Sequence, residues 1–278
     1  MFDIFWIIIY GSLALLVVLI GYGILYYFYN KIINYFSNKK KLQHNTIPIV
    51  HSNESNILKT VLSSNGTMIN TNTHMDFLKT YETLDKTKDI YVVMHTKGGS
   101  LSSAEAIINC IINHTSNITD NHTDNHTDNR NGKIICVIPY YAYSAGCCIA
   151  LCCDKIIMHK NAIVGPCDAQ LSNGLTSSHS VASIVYAVEH KKEKNEKIEE
   201  KWLASSYDAE LCKKRQREFM NKLVKHNKYT QETADKIYEE FFSGKYNHDQ
   251  VFSAEDLIDL GVNVEVVDNI DKNIRCFL

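Results

Sequence analysis

DIYVVMHTKGGSLSSAEAI, residues 89–107, carries the plainest fold signal in the chain. Asp89 to Met94 is a short apolar run rich in β-branched residues, the pattern of a buried strand. The loop HTKGGS follows, and then Ser102 with Glu105 three residues on, a capping-box pattern that opens a helix. That helix places Ala104, Ile107, Ile108, Ile111 and Ile112 on or near one face. The order then recurs. Lys133 to Ile138 predicts a second strand, Ala145 to Cys153 a short helix of small residues, and Lys155 to Met158 a third strand. Repetition of strand, Gly/Ser turn, helix and strand predicts an α/β domain with parallel pairing.

Around this centre Met75 to Thr83 can form a helix. Charged helices are expected around Glu193 to Lys225, carrying Ile198, Trp202, Leu211 and Leu223, and from Gln231 to Phe242, ending at Gly244. A helix through Glu255 to Leu260 and a strand at Val264 to Val267 close the chain. Residues 113–132 read as an insertion in which Asn-His-Thr-Asp occurs at 121–124 and again at 125–128. His114, His122 and His126 alternate there with aspartates, but nothing apolar nearby could hold metal ligands rigid, so a solvated low-complexity loop is expected.

The 278 residues carry 29 Lys+Arg against 31 Asp+Glu, a net charge of −2, with 45% apolar and 22% charged residues. These values exclude a disordered chain, a collagen-like fibre and a globally basic nucleic-acid binder. The average hides an apolar excess at the start. Phe5 to Tyr29 has no charged residue, and as a helix it would be roughly 36 Å long, enough to cross a bilayer core of about 30 Å. Trp6 and Tyr10 at one end, with Tyr26, Tyr27 and Tyr29 at the other, fit interfacial belts. The start MFD and the tyrosine-rich end predict an uncleaved anchor over 5–29 in the lipid bilayer rather than a signal peptide. Lys31, Lys39, Lys40 and Lys41 follow the span, so the positive-inside bias predicts a single-pass protein with its C-terminal domain in the cytosol. Residues 30–56 then read as a polar membrane-proximal stalk. Nine cysteines without CxxC spacing, five of them in apolar surroundings, predict buried free thiols. Asn-x-Ser/Thr triplets at Asn53, Asn65, Asn113, Asn117, Asn121 and Asn125 point the other way, but such triplets are frequent by chance in Asn-rich sequence.

Two turns can carry chemistry, because each follows a buried strand and opens a helix. At His95-Thr96-Lys97-Gly98-Gly99-Ser100 the paired glycines allow close backbone approach and can aim N–H groups at an oxyanion. At Tyr143-Ser144-Ala145-Gly146 a sterically open serine starts a helix, where it can act as a nucleophile or as a plain N-cap. On neighbouring parallel strands the two turns would put backbone donors and a hydroxyl at one sheet edge, an arrangement suited to acyl transfer.

These two stretches, with VIPYYAYSAGCCIALCCDKIIM (137–158), IVGPCDAQL (163–171) and YNHDQVFSAEDLIDLGVNV (246–264), resemble the serine dehydrogenase proteinases. That family comprises membrane-anchored serine peptidases of the superfamily that includes ClpP, the signal peptide peptidase SppA and crotonase. The resemblance covers roughly residues 57 to 267 in order. It implies a ClpP/crotonase-like fold of stacked ββα units over residues 57–278, Ser144 as nucleophile, and an oxyanion hole from the N–H groups of Gly98, Gly99 and Ala145. It also implies peptide or membrane-protein substrates and a homo-oligomer, with no metal, no nucleotide cofactor and no nucleic-acid partner. Lys97 and Ala169 stand where the family usually has Pro. The region Val164 to Asp168, where ClpP-like relatives have a His, has none.

His248 is the first candidate for the general base, having the intrinsic pKa to take a proton near neutral pH, and Asp249 looks similar in placement to the acid of the ClpP triad. Relatives of the SppA type use lysine. Lys191, Lys192, Lys213 and Lys214 are the candidates here, although Cys212 occupies the position where a family lysine is expected. Cys147, Cys148, Cys152 and Cys153 invite a zinc site, but small-residue core packing explains them better. A membrane-anchored serine peptidase is the leading expectation; an inactive scaffold and a crotonase-like acyl-CoA enzyme are the alternatives.

Overall fold

The computed structural model describes residues 19–30, 45–51, 68–119, 131–172, 178–271 and 274. The chain forms two compact units, Met1–His44 and Asn45–Leu278. In the first, residues 19–30 are helical, and Leu19, Ile20, Ile24 and Leu25 are exposed. Most of the expected span 5–29 lies outside the described residues. Among the described residues no helix is long and apolar enough to cross a membrane.

The second unit is built on a five-stranded parallel sheet in the order β1-β2-β3-β5-β9, with β1 at Thr46–Val50, β2 at Ile90–His95, β3 at Ile134–Ile138, β5 at Lys155–His159 and β9 at Val264–Val267. All five residues of β3 are buried, as expected of a central strand covered on both faces. β1 was expected to be stalk. Its short run Thr-Ile-Pro-Ile-Val pairs in parallel with Tyr91–His95, and Pro48, which has no N–H to donate, is tolerated because the strand lies at the sheet edge.

Helix α1, Thr71–Glu82, starts from Asn70, whose side chain accepts the Thr73 N–H in a capping box. Helix α2, Leu101–Thr119, buries Ala104, Ile107, Ile108, Ile111 and Ile112 as the pattern predicts. Its cap is Ser100, two residues before Ser102: the Ser100 carbonyl accepts the Ala104 N–H at 3.0 Å and the Ser100 hydroxyl accepts the Ser103 N–H at 3.5 Å. Glu105 pairs with Arg215 instead of closing a cap. At its other end α2 runs through Thr119, into the segment expected to be loop. His114 is 1% exposed and bridges the Tyr81 hydroxyl, 2.9 Å away, to the Gly132 carbonyl, 2.7 Å away. It is therefore a core histidine, and the repeated Asn-His-Thr-Asp lies outside the described residues.

A second set of short pairings sets the height of the site. β4, Tyr141–Ala142, pairs in parallel with β6, Ile163–Val164, and single bridges join Thr96 to Ala142 and Val164 to Phe252. Helix α3, Ala145–Leu151, is wholly buried, so Cys147 and Cys148, with Cys152 and Cys153 just beyond, pack into the main core.

After β6 comes a hairpin, β7 at Gln170–Ser172 and β8 at Ser178–Ser180, followed by α4, Val181–Glu193, and α5, Glu200–Lys225. The helix expected around Glu193 to Lys225 is thus α5, which starts at Glu200; Glu193 instead ends α4, a helix not expected from the sequence, and residues 194–199, where Asn195 adopts a φ of +55°, separate the two. Trp202 packs on a small core of Val181, Ile184, Val185 and Ala209 between them. Helix α6, Gln231–Ile237, continues into a π-helical turn, Tyr238–Phe242, that buries Tyr238, Phe241 and Phe242. Helix α7, Ala254–Asp259, leads to β9.

Candidate active site

Ser144 stands at the junction of β4 and α3 with φ 50° and ψ −122°, a conformation that costs about 1–3 kcal/mol for a residue bearing a side chain. The chain is held there from both sides. Tyr143 N–H donates to the Thr96 carbonyl at 3.0 Å, Gly146 N–H to the Tyr143 carbonyl at 2.9 Å, and Cys148 N–H to the Ser144 carbonyl at 3.0 Å. A capping serine would have extended backbone and accept an N–H from the first turn. The Ser144 side chain makes no such bond, and among the described residues its hydroxyl has no hydrogen-bond partner.

The glycine turn lies directly against this serine. A Cβ on Gly98 would come within 2.8 Å of Ser144 Cβ, and one on Gly99 within 2.2 Å of the Ile69 carbonyl oxygen. Both residues have positive φ, +98° and +149°, so glycine is required twice over. The three expected donors are not equivalent. Gly98 N–H already donates to Thr96 Oγ1 at 3.1 Å. Among the described residues the N–H groups of Gly99 and Ala145 have no acceptor.

Gly99, Ser144 and Ala145 share the wall of a cavity of about 410 Å³. Ile108, Leu171, Phe219, Phe242, Cys148 and Cys167 make it largely apolar, and Glu105 and Arg215 form an ion pair at its lining. Cys167 anchors one side: its N–H donates to the Phe241 carbonyl at 2.7 Å, and its thiol lies 3.6 Å from the Ser144 carbonyl. Burial pushes the Cys167 and Cys152 thiols well above the ordinary thiol range, which keeps them protonated. Among the described residues no three His, Cys, Asp or Glu side chains converge to hold a metal ion.

His248 is joined to Asp168, not to Asp249. Its Nδ1 lies 2.6 Å from Asp168 Oδ1, and Gln170 Nε2 donates to Asp168 Oδ2 at 2.7 Å. Asp168 is only 4% exposed, whereas the His248 side chain is 38% exposed. The Asp168 hydrogen bond raises the His248 pKa from its ordinary value, and partial burial opposes it. Asp249 adds to the rise through its charge, without a direct bond. Asp168 lines the cavity with Ser144, but no hydrogen bond joins Ser144 to His248. None of Lys191, Lys192, Lys213 and Lys214 lines the cavity, and Cys212 does. Asp168 is the residue that sequence reasoning missed. Its signal was its place in Gly-Pro-Cys-Asp after β6, a segment that carried part of the family resemblance and was otherwise noted for lacking a histidine.

Residues 1–276 match the family described as ClpP-like SDH-type serine proteinase. The chain belongs to this family. It is 30% identical over 185 residues to the uncharacterized protein MJ1495 of Methanocaldococcus jannaschii, and 28% identical over 190 residues to the uncharacterized protein MJ0137 of the same organism. These alignments cover 66% and 68% of this chain and 54% and 58% of the relatives, so the chain spans little more than half their length. Two solved structures of the 1510-N membrane-bound stomatin-specific protease, one in complex with a substrate peptide, are similar at 16% and 15% identity. They have TM-scores of 0.42 and 0.43 and cover 73% of this chain and 76% and 72% of theirs. The α/β architecture with its parallel sheet is thus that of a ClpP-like SDH-type serine proteinase.

Proposed function

We propose that this chain is a serine peptidase in which Ser144 attacks the carbonyl of a peptide bond. The observation that carries the proposal is the strained, uncapped Ser144 beside two unengaged backbone donors, Gly99 N–H and Ala145 N–H, on one apolar cavity. Strain at a serine whose hydroxyl makes no structural bond is the mark of a position kept for chemistry. As Oγ adds to the carbonyl carbon, the carbonyl oxygen becomes an anion, and the two N–H groups stabilise it in a largely apolar cavity. His248, oriented by Asp168, takes the serine proton and returns it to the leaving amine; water then hydrolyses the acyl-enzyme by the same steps. In this role Asp168 replaces Asp249 as the acid, and Gly98 supports the turn without donating to the oxyanion.

The anchor over residues 5–29 belongs to the same proposal and would hold the peptidase at a membrane. Resistance of the full chain to carbonate extraction, abolished by removing residues 1–44, is the expected outcome; a carbonate-soluble full chain refutes the anchor.

The missing bond between Ser144 and His248 is the observation that favours the second reading, an inactive scaffold. One experiment decides between the two. A fluorophosphonate probe should label the purified protein and fail to label Ser144→Ala of equal thermal stability. No labelling of the wild type refutes the peptidase reading in favour of the scaffold, and equal labelling of the variant removes Ser144 from the mechanism.

A further inference from the structure

The glycine turn is clamped by groups that lie outside the cavity. On its outer side Ile69 N–H donates to the Gly98 carbonyl at 2.7 Å, and Ser100 N–H donates to the Ile69 carbonyl at 2.8 Å. On its inner side Thr96, fully buried, holds the Gly98 N–H through Oγ1. The backbone of the same threonine faces the nucleophile strand. Thr96 N–H donates to the Tyr141 carbonyl at 3.4 Å and its carbonyl accepts Tyr143 N–H at 3.0 Å. Its methyl meets the position a Cβ on Gly146 would take, 2.5 Å away. Thr96 therefore touches both the glycine turn and the strand that leads to Ser144.

The rotation of this hydroxyl is set by His51. The imidazole is 5% exposed at the end of β1, with Nδ1 2.8 Å from Thr96 Oγ1 and Nε2 3.4 Å from Thr73 Oγ1. Burial, with a smaller contribution from nearby His95, lowers the His51 pKa to about 4, so the ring is neutral at physiological pH and has one nitrogen without a proton. Thr96 has a single hydroxyl hydrogen and Oγ1 already accepts Gly98 N–H. Donation from Oγ1 to Nδ1 satisfies both groups at 2.8 Å; the alternative acceptor, the Gly98 carbonyl, is 3.5 Å away. With its hydrogen turned toward His51, the hydroxyl presents a lone pair to Gly98 N–H and keeps that donor out of the cavity.

We propose that His51 and Thr96 are positioning residues for the oxyanion hole: they fix the Gly98–Gly99 peptide so that Gly99 N–H, and not Gly98 N–H, points at the reacting oxygen. The role rests on the peptidase reading of Ser144. Neither residue lines the cavity, so their loss should weaken transition-state stabilisation and leave ground-state binding in place. Misplacing a reacting geometry by about 1 Å costs up to roughly 100-fold in rate.

The test is the reaction of the full-length chain with a fluorophosphonate, resolved into kinact and KI. Thr96→Val keeps the shape of the side chain and deletes the hydroxyl; His51→Leu deletes the acceptor. Both should lower kinact by roughly 10- to 100-fold with KI within about threefold of wild type, and Thr96→Ser, which restores the hydroxyl, should recover kinact to within about threefold. A merely structural role would not produce a kinact-only loss rescued by a hydroxyl. Wild-type kinact in Thr96→Val, an equal change in KI, or a folded Thr96→Ser as slow as Thr96→Val overturns the positioning role. If Thr96→Val does not fold, His51→Leu decides by the same criteria. A wild type that does not react at all overturns the peptidase reading, and the positioning role falls with it.

Discussion

Replacing Asp168 with Asn tests the acid–base half of the proposed mechanism. Asp168 uses both oxygens, Oδ1 toward His248 Nδ1 at 2.6 Å and Oδ2 to accept Gln170 Nε2–H at 2.7 Å. An amide has one oxygen to share between these partners. With that oxygen toward Gln170, its NH₂ faces Nδ1 and forces the imidazole proton onto Nε2, the tautomer that cannot accept a proton from Ser144. With the oxygen toward His248, Gln170 must reverse its own amide, and the imidazolium formed during reaction faces a neutral partner. Either way kcat should fall by about 10² to 10⁴. The fold should lose little. A hydrogen bond to a charged group contributes about 1.5–3 kcal/mol when shielded, which solvent reduces to about 1 kcal/mol for a ring that is 38% exposed.

The pH dependence has a defined sign. Because Asp168 raises the His248 pKa, the wild-type rate should rise with pH through an inflection above the ordinary histidine value of about 6.5, and Asp168→Asn should move that inflection down. The stability supplied by the pair runs the opposite way. It is fully present below about pH 6.5 and is lost as pH rises through the raised pKa of the folded state. Stopped-time labelling across pH 5 to 9, with urea melts on the same samples, measures both. A labelling rate within threefold of wild type, or an unmoved inflection, would remove the Asp168–His248 pair from the mechanism.

Two further substitutions probe the turn and the core. Gly99→Ala introduces a Cβ 2.2 Å from the Ile69 carbonyl oxygen at a φ of +149°, so the turn must shift; labelling should fall by at least 100-fold, with a loss of roughly 1–3 kcal/mol in urea unfolding, and wild-type labelling would contradict the assigned donor. His114→Leu removes the buried bridge between Tyr81 and Gly132 and should cost about 1–3 kcal/mol while the labelling rate per folded molecule stays unchanged; an unaltered urea midpoint would show that the bridge contributes nothing.

The centre of the parallel core was legible in the linear chain because β2 and β3 are nearly continuous apolar runs and α2 repeats isoleucine on one face. Such patterns are local, and burial of a whole strand leaves no polar residue to blur them. The boundaries were less legible. β1 is five residues long and contains a proline, features that read as linker until β2 lies beside it. His114 sits in a polar, repetitive stretch, and its burial follows from where α2 packs against α1, which local composition does not encode.

The same division runs through the site. Ser144, the glycine pair and Ala145 could be named from residue order alone, because a small-residue turn after a buried strand is a one-dimensional pattern, and its likeness to a family was enough to imply roles. The pairing of His248 with Asp168 across 80 residues, the choice of Gly99 over Gly98 as the free donor, and the reach of His51 to Thr96 across 45 residues were settled by packing. Each depends on which polar groups are already satisfied by neighbours distant in the chain. Hydrogen bonds are made by atoms a few ångströms apart in space, and sequence spacing does not hold that distance.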